Sequence, residues 1–372
     1  MRARDFGITL GLGKPGPNNA ITDVPGVRVG HATLNQTANG KPVRTGVSVI
    51  EPRAGAARYQ PCFAGCHVLN GNGDATGLEW IREAGLLTTP IATTNTHSVG
   101  VVRDALIAHE RATLQDDSTY WCMPVVMETY DGVLNDIWGQ HVNADLVQQA
   151  LAAANSGPVV EGSVGGGTGM ICHEFKGGIG TASRQLPAEQ GAWTVGAFVQ
   201  ANHGQRLDLR VDGYPVGRVL GDLPSPFAVQ DTPGMGSIVV VLATDAPLLP
   251  HQCQRLAQRA SLGIARTGGG TDDSSGDIFL AFSTGNTGLA PADYNRRNLA
   301  RTAQVDMVNN DHISPLFAAA AEAVEEAIIN ALLAGQDMQS ADGRTVPALT
   351  GDRLRGALQV TGWRQSGFDT PN

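Results

Sequence analysis

Residues 237–244, SIVVVLAT, enclose an unbroken apolar run, 238–243, rich in β-branched side chains, and the segment follows directly on a stretch crowded with proline and glycine. A run this apolar reads as a strand buried in the protein interior. The stretch before it, 203–236, ends in GDLPSPFAVQDTPGMG and reads as an irregular, accessible loop. A loop that meets a buried strand at Gly236-Ser237 suits a chain break, because the backbone can bend there without disturbing a core.

Other β-rich runs occur at 26–34, 45–52, 122–130, 192–202 and 277–284. Helical periodicity is clearest at 98–113, 250–266 and 314–334, with Ser98 as a cap for the first and Pro250 in the first turn of the second. Ser314-Pro315 offers the third a cap followed by proline at the first helical position. Helices flank strands, so the class is mixed α/β. No period of 20–50 residues recurs, which removes solenoids.

The 372 residues suit one large layered unit. With 42% apolar residues, 16% charged residues and 47 glycines, the chain is globular and turn-rich, with few long exposed helices. A net charge of -9 without clustered Lys and Arg argues against nucleic acid and for small-molecule chemistry. No apolar stretch has signal-peptide or bilayer-spanning length, so a cytoplasmic protein is expected. Five scattered cysteines, at 62, 66, 122, 172 and 253, read as reduced thiols. Cys62 and Cys66 read as two small buried residues, without a second ligand pair for zinc.

Several motifs fail. No G-x-S-x-G elbow is present. His109-Glu110 and His173-Glu174 begin like zinc-protease motifs, but Thr113 and Gly177 stand where the second histidine is required, so neither reads as a metal site. The glycine clusters 71–77, 165–169 and 268–270 match no phosphate loop and read as tight turns or close backbone approach between layers. No cofactor is called for.

Ser237 has what an amino-terminal nucleophile needs: a small residue before it, an irregular segment upstream and a strand behind it. Its hydroxyl can attack the Gly236 carbonyl, shift the acyl group from N to O, and be freed by water. The α-amine so released, with an ordinary pKa near ~8, then sits beside the hydroxyl it deprotonates.

The segment GSIVVVLATDAPLLP resembles the start of the β-subunit in the DmpA family, the L-aminopeptidase/D-amidase-esterases and β-peptidyl aminopeptidases. So do ITDVPGVRVGHAT (21–33), residues 71–100, ETYDGVLND (128–136), GSVGGGTGM (162–170) and SSGDIFLAFST (274–284), in family order over nearly the whole chain. The resemblance implies a single domain, 1–372, folded as a four-layer α-β-β-α sandwich with Ntn-hydrolase-like layering and different strand connectivity. It implies self-cleavage into 1–236 and 237–372, and a tetramer of the resulting heterodimers.

The same resemblance assigns residues. Ser237 is the nucleophile. Asn202 stabilises the oxyanion, and Ser275 and Asp277 are a hydrogen-bonded serine and acid near the active site, with Asp where the β-peptidases carry Glu. Glu128 holds the substrate ammonium, Tyr130 lines the pocket or assists the oxyanion, and Asn135 is a polar neighbour. Met235 departs from the acidic or polar residue of many relatives.

The implied activity is removal of amino-terminal residues, α-L, α-D or β, from small peptides, amides or esters. Hydrolysis of ω-amino acid oligomers and acyl transfer of the ornithine-acetyltransferase kind are the enzymatic alternatives, although both usually employ Thr as nucleophile. A glycine-rich binding module without chemistry is the non-enzymatic one.

Overall fold

The computed structural model describes residues 1–114, 120–227, 236–290 and 300–364. Its principal strands are β1 (Arg28–Ala38), β2 (Lys41–Glu51), β3 (Cys62–Gly71), β4 (Leu86–Leu87), β5 (Ile91–Asn95), β6 (Val125–Thr129), β7 (Ile171–Cys172), β8 (Phe175–Lys176), β9 (Gly178–Gln185), β10 (Thr194–Asn202), β11 (Gly236–Thr244) and β12 (Ser275–Ser283). Its helices are α1 (Leu78–Ala84), α2 (Val99–Thr113), α3 (Ala144–Ala152), α4 (Val216–Val219), α5 (Pro250–Gln258), α6 (Ala260–Thr267), α7 (Ser314–Ala334) and α8 (Gly351–Val360).

Two sheets carry the architecture, a six-stranded one ordered β4-β3-β12-β11-β10-β9 and a four-stranded one ordered β1-β2-β5-β6. Every residue of β11 is buried because both of its faces are covered. Ile238, Val240 and Leu242 pack with Leu256, Ile264, Ala323 and Ile328 of the helices α5 to α7. Val239, Val241 and Ala243 pack with Val29, Ile50, Ile91 and Met127 of the other sheet. A third cluster joins Val47, Val49 and Ala92 to Val102, Leu106, Leu146 and Val147 of α2 and α3. The order is helices, sheet, sheet, helices: the four-layer sandwich expected from the resemblance.

Glycine allows these layers to touch. A Cβ on Gly166, in the 165–169 cluster, would lie 2.1 Å from Gln200 Oε1 on one sheet and 2.7 Å from the Thr93 carbonyl on the other. A Cβ on Gly180 would lie 1.9 Å from the Ala327 carbonyl of α7. The backbone of α7 rests on β9 there, which is why the strand GIGTASRQ carries glycine in place of the bulky residues that normally announce one.

Some local expectations are corrected. Ser98 precedes α2 without making a side-chain cap bond, and α7 starts at Ser314 itself, with Ile313 at the cap. The segment expected as one helix over 250–266 breaks at Arg259, and its halves pack differently, α5 on β3 and β12, α6 on α7. The described part of 203–236 is irregular and accessible in part, with Leu207 61% exposed, but Leu209, Val211 and Val216 are fully buried. Its prolines and glycines set turns that fold those apolar side chains into the helix-facing core.

Among the described residues no helix is long and apolar enough to cross a membrane. All five cysteines are free, and Cys62 and Cys66 are buried.

The amino terminus is tied to α7 by buried charge. Arg184 Nη2 lies 2.8 Å from Glu326 Oε2 and Arg184 Nε lies 3.0 Å from Glu322 Oε2, while Arg4 Nε bonds Glu326 Oε1 at 2.8 Å. Burial would raise the Glu326 pKa, but the Arg4 hydrogen bond and the Arg184 charge more than offset it, leaving it below the ordinary value. This contribution to stability is therefore present above the unfolded-state carboxylate range and lost as pH falls through the lowered folded value. Glu326→Ala leaves buried Arg184 with Glu322 alone and takes the carboxylate from Arg4, and is expected to cost about 3 kcal/mol in urea unfolding at neutral pH. A loss under about 1 kcal/mol would show that the guanidinium finds another partner.

Candidate active site

Ser237 is the second residue of β11 and only 5% exposed. It lies opposite Asn202 of antiparallel β10 and Gly276 of parallel β12. The Gly276 N–H donates to Ser237 Oγ at 3.1 Å. A Cβ on Gly236 would lie 1.8 Å from the Asn202 carbonyl, so the residue before the nucleophile has no room for a side chain.

Strand alternation decides where the hydroxyl points. Ser237 shares its face with Val239 and Val241, which look into the space between the sheets. A 360 Å³ cavity opens there, lined by Asn72, Gly73, Asp74, Thr96, Glu128, Tyr130, Gly236, Ser237 and Ser274. Larger hollows of 880 Å³ and 1050 Å³ are both bordered by Leu12 and by Glu322 of α7, and Ser237 lines neither.

Glu128 enters the cavity from β6, on the opposite sheet, with only 3% of its surface exposed. Its Oε1 accepts from the Asp74 backbone N–H at 2.8 Å, and its Oε2 accepts from the Thr96 hydroxyl. Burial pushes its pKa up, while the Thr96 and Asp74 hydrogen bonds favour the ionised form and pull it back. A nearly dry carboxylate with only part of its hydrogen-bonding capacity used is suited to an ammonium group. Gly73 brings the turn close: a Cβ there would lie 3.1 Å from Glu128 Oε1.

Asn202 faces the same inter-sheet space as Ser237, its cross-strand neighbour. Its Oδ1 accepts from the Ile171 N–H at 2.7 Å and its Nδ2 donates to the Tyr130 carbonyl at 2.9 Å. Those bonds fix the amide plane and leave one Nδ2 hydrogen for another acceptor. The Tyr130 ring folds over Gly132, where a Cβ would lie 2.3 Å from the phenolic oxygen.

Ser275 and Asp277 are placed differently. The Ser275 hydroxyl donates to Asp277 Oδ1 at 2.6 Å, and Asp277 Oδ2 is buried without a hydrogen-bond partner. Opposite Gly236 and Ile238 in the register, they share the helix-facing side of the sheet with Phe279 and Ala281. Burial raises the Asp277 pKa, with the Ser275 hydroxyl and the Ile238 backbone N–H lowering it in part. Their route to Ser237 is thus through the backbone at the start of β11, not across the cavity.

Asn135 does not line the cavity. Its Oδ1 accepts from the Arg44 N–H and its Nδ2 donates to Asp131 Oδ1, both at 3.0 Å. Met235 lies outside the described residues. Residues that sequence reasoning did not single out, Thr96, Asp74, Asn72 and Ser274, complete the cavity wall. They occur within segments that resemble the family, but no spacing marks a threonine 32 positions before a glutamate as its partner.

The profile of peptidase family S58 matches residues 19–346, most of the chain. The chain belongs to peptidase family S58. The S58 chain is 45% identical over 373 residues to the β-peptidyl aminopeptidase BapA of Sphingosinicella microcystinivorans, spanning 96% of this chain and 92% of that one. Among solved structures, a β-aminopeptidase from a Burkholderia species superposes with a TM-score of 0.94 at 70% identity, over 98% of this chain and 100% of that one. The L-aminopeptidase D-Ala-esterase/amidase of Ochrobactrum anthropi, described as a variant of the Ntn hydrolase fold, superposes with a TM-score of 0.88 at 44% identity, over 97% and 99%. The family read from the sequence motifs is therefore the right one, and this S58 protein is a hydrolase of the peptidase class.

Proposed function

We propose that this S58 protein is a self-processing amino-terminal serine hydrolase that releases single residues from the amino ends of small peptides, amides and esters. The observation that carries it is that the Gly236-Ser237 bond lines the same cavity as the buried Glu128 carboxylate. In the precursor, Ser237 Oγ attacks the Gly236 carbonyl carbon, the Ser237 nitrogen leaves as an amine, and water cleaves the ester. Chains 1–236 and 237–372 result, and the new amine replaces a peptide nitrogen beside Oγ.

Turnover reuses these groups. Glu128 holds the substrate ammonium and so sets the scissile carbonyl one residue in. The Ser237 amine takes the hydroxyl proton as Oγ attacks, and returns a proton to the leaving amine. The free Nδ2 hydrogen of Asn202 meets the oxyanion, with Tyr130 at the cavity wall. Asp277, held by Ser275, supplies carboxylate charge behind the start of β11 when the amine is protonated. Water then releases the acyl group. None of these steps needs a metal or organic cofactor.

The relatives' names favour β-amino or small L-amino residues at the amino end, with D-alanyl amides and esters as further candidates. A tetramer of cleaved heterodimers in the cytoplasm fits the family resemblance, the acidic charge and five free thiols.

Intact-mass measurement of the purified protein, followed by assay on the para-nitroanilides of L-Ala, D-Ala and β-homo-Ala, tests the reading. Two fragments meeting at Gly236-Ser237 and release of nitroaniline from at least one substrate are expected. A chain that stays whole and inert to all three would sink it.

Glu128 also gives the reaction a pH signature. Only its ionised form holds an ammonium, so KM is expected to rise as pH falls through the raised Glu128 pKa. Thr96→Val removes a hydrogen bond to the ionised form and is expected to move the acid limb of kcat/KM to higher pH, with kcat at alkaline pH little changed. An acid limb that stays in place in this variant would separate Glu128 from ammonium binding.

A further inference from the structure

A second cluster of chemically capable side chains lies behind Asn202, outside the catalytic cavity. The hairpin β7–β8 turns at His173 and Glu174, both with positive φ, and the His173 N–H bonds the His203 carbonyl at 2.7 Å. Cys172, His173 and His203 are thereby gathered in the interior, at most 2% exposed, each with a ligand atom within 4.8 Å of the others. Cys172 Sγ and His203 Nδ1 are 3.8 Å apart. The His173 Nε2 atom is buried without a hydrogen-bond partner, an arrangement a folded protein normally avoids.

The geometry points to a binding site for a soft d10 metal ion, copper(I) by preference, formed by Cys172, His173 and His203. The catalytic reading does not depend on this site.

Distances support the assignment. A d10 ion with sulfur at about 2.3 Å and nitrogen at about 2.05 Å in a trigonal plane holds those two atoms about 3.8 Å apart, the separation seen between Cys172 and His203. Bringing the third atom in from within 4.8 Å requires a contraction of at most about 1.0 Å toward sulfur and about 1.3 Å toward the other nitrogen, from the same bond lengths. The His173 Nδ1 donates to the Gln205 carbonyl at 2.9 Å, which leaves Nε2 as the lone-pair nitrogen. A backbone carbonyl behind a ligating imidazole is the usual orienting partner at metal centres.

Charge supports it too. Lys176 is fully buried with its Nζ bonded to the carbonyls of Gly167, Met170 and Gly177, and among the described residues no carboxylate pairs with it. Binding exchanges the Cys172 thiol proton, which leaves to solvent, for the metal ion. A monovalent ion leaves the net buried charge unchanged, whereas a divalent ion adds one positive charge.

Coordination number also favours copper(I). Structural zinc takes four protein ligands, and this cluster offers three. Thiolate and imidazole together suit copper(I). Gly204 and Gly269 wall the rings in, with a Cβ on either lying 2.4 Å from an imidazole carbon.

The test uses the whole protein in a Cys122→Ser background, because Cys122 is the one thiol not buried. Metal-free protein is titrated without oxygen with copper(I) against a competing chelator, and separately with Zn2+. One equivalent of copper(I) per chain is expected, held at least tenfold more tightly than zinc and at least tenfold less tightly after Cys172→Ser or His173→Gln. Copper X-ray absorption on the protein with all three ligands intact is expected to show one sulfur and two nitrogens, a readout that stands even if a variant misfolds. No copper(I) binding, a sulfur-free shell, or zinc preferred over copper(I) would overturn the assignment.

Discussion

Ser237→Ala is expected to leave a single uncleaved chain of 38.8 kDa and to remove hydrolysis of amino-terminal amides. Two losses coincide in this variant. Without Oγ there is no attack on Gly236, so no amino-terminal amine is made. Without Oγ there is also no nucleophile for substrate, and Gly236 continues to occupy the cavity wall. Loss of a hydrolase nucleophile alone lowers kcat by on the order of 10⁴ to 10⁶. A denaturing gel and a nitroaniline assay read both effects. Cleavage that persists in Ser237→Ala would move the nucleophile elsewhere.

Asn202→Ala is expected to lower kcat by about 10² to 10³, the usual cost of losing one oxyanion donor, with a smaller change in KM. Self-cleavage is expected to slow with it, since the same carbonyl geometry arises at Gly236. The variant also frees the Ile171 N–H and the Tyr130 carbonyl, so a fall in melting temperature accompanies it. Asn202→Asp separates the two effects, because a carboxylate still accepts from Ile171 but donates nothing. A kcat for Asn202→Asp within about threefold of the parent would remove Asn202 from the oxyanion site.

The remaining cavity residues show why a sequence yields some sites and not others. Ser237 was legible because its evidence is local: a glycine before it, prolines upstream and an apolar strand behind. The Gly236 requirement was legible in outline, although its cause, the Asn202 carbonyl on the neighbouring strand, is a tertiary contact. Glu128 was legible only through the resemblance of ETYDGVLND to family segments. Its two hydrogen-bond partners were not, because Thr96 and Asp74 reach it from other elements. The S-S-G-D segment was read as standing near the active site, but its side of the sheet depends on the β11–β12 register, which no local pattern specifies.

Distant metal-type clusters show the same limit. His173-Glu174 was set aside because the second ligand one helical turn on is missing, and within a helix that is sound reasoning. The segment is a hairpin, and the imidazole beside it comes from His203, thirty positions later at the end of β10.

By itself, then, the sequence determined the class of fold and the family, and pointed to the bond at Gly236-Ser237 as the place for chemistry, since alternation, turn chemistry and motif order are written along the chain. Tertiary structure alone decided which side chains face one another across the two sheets, where Asn135 spends its hydrogen bonds, and what shares the interior behind Asn202. The reason is physical: each strand residue has only two faces to choose from, and the choice is made by the register and packing of strands that are far apart in sequence.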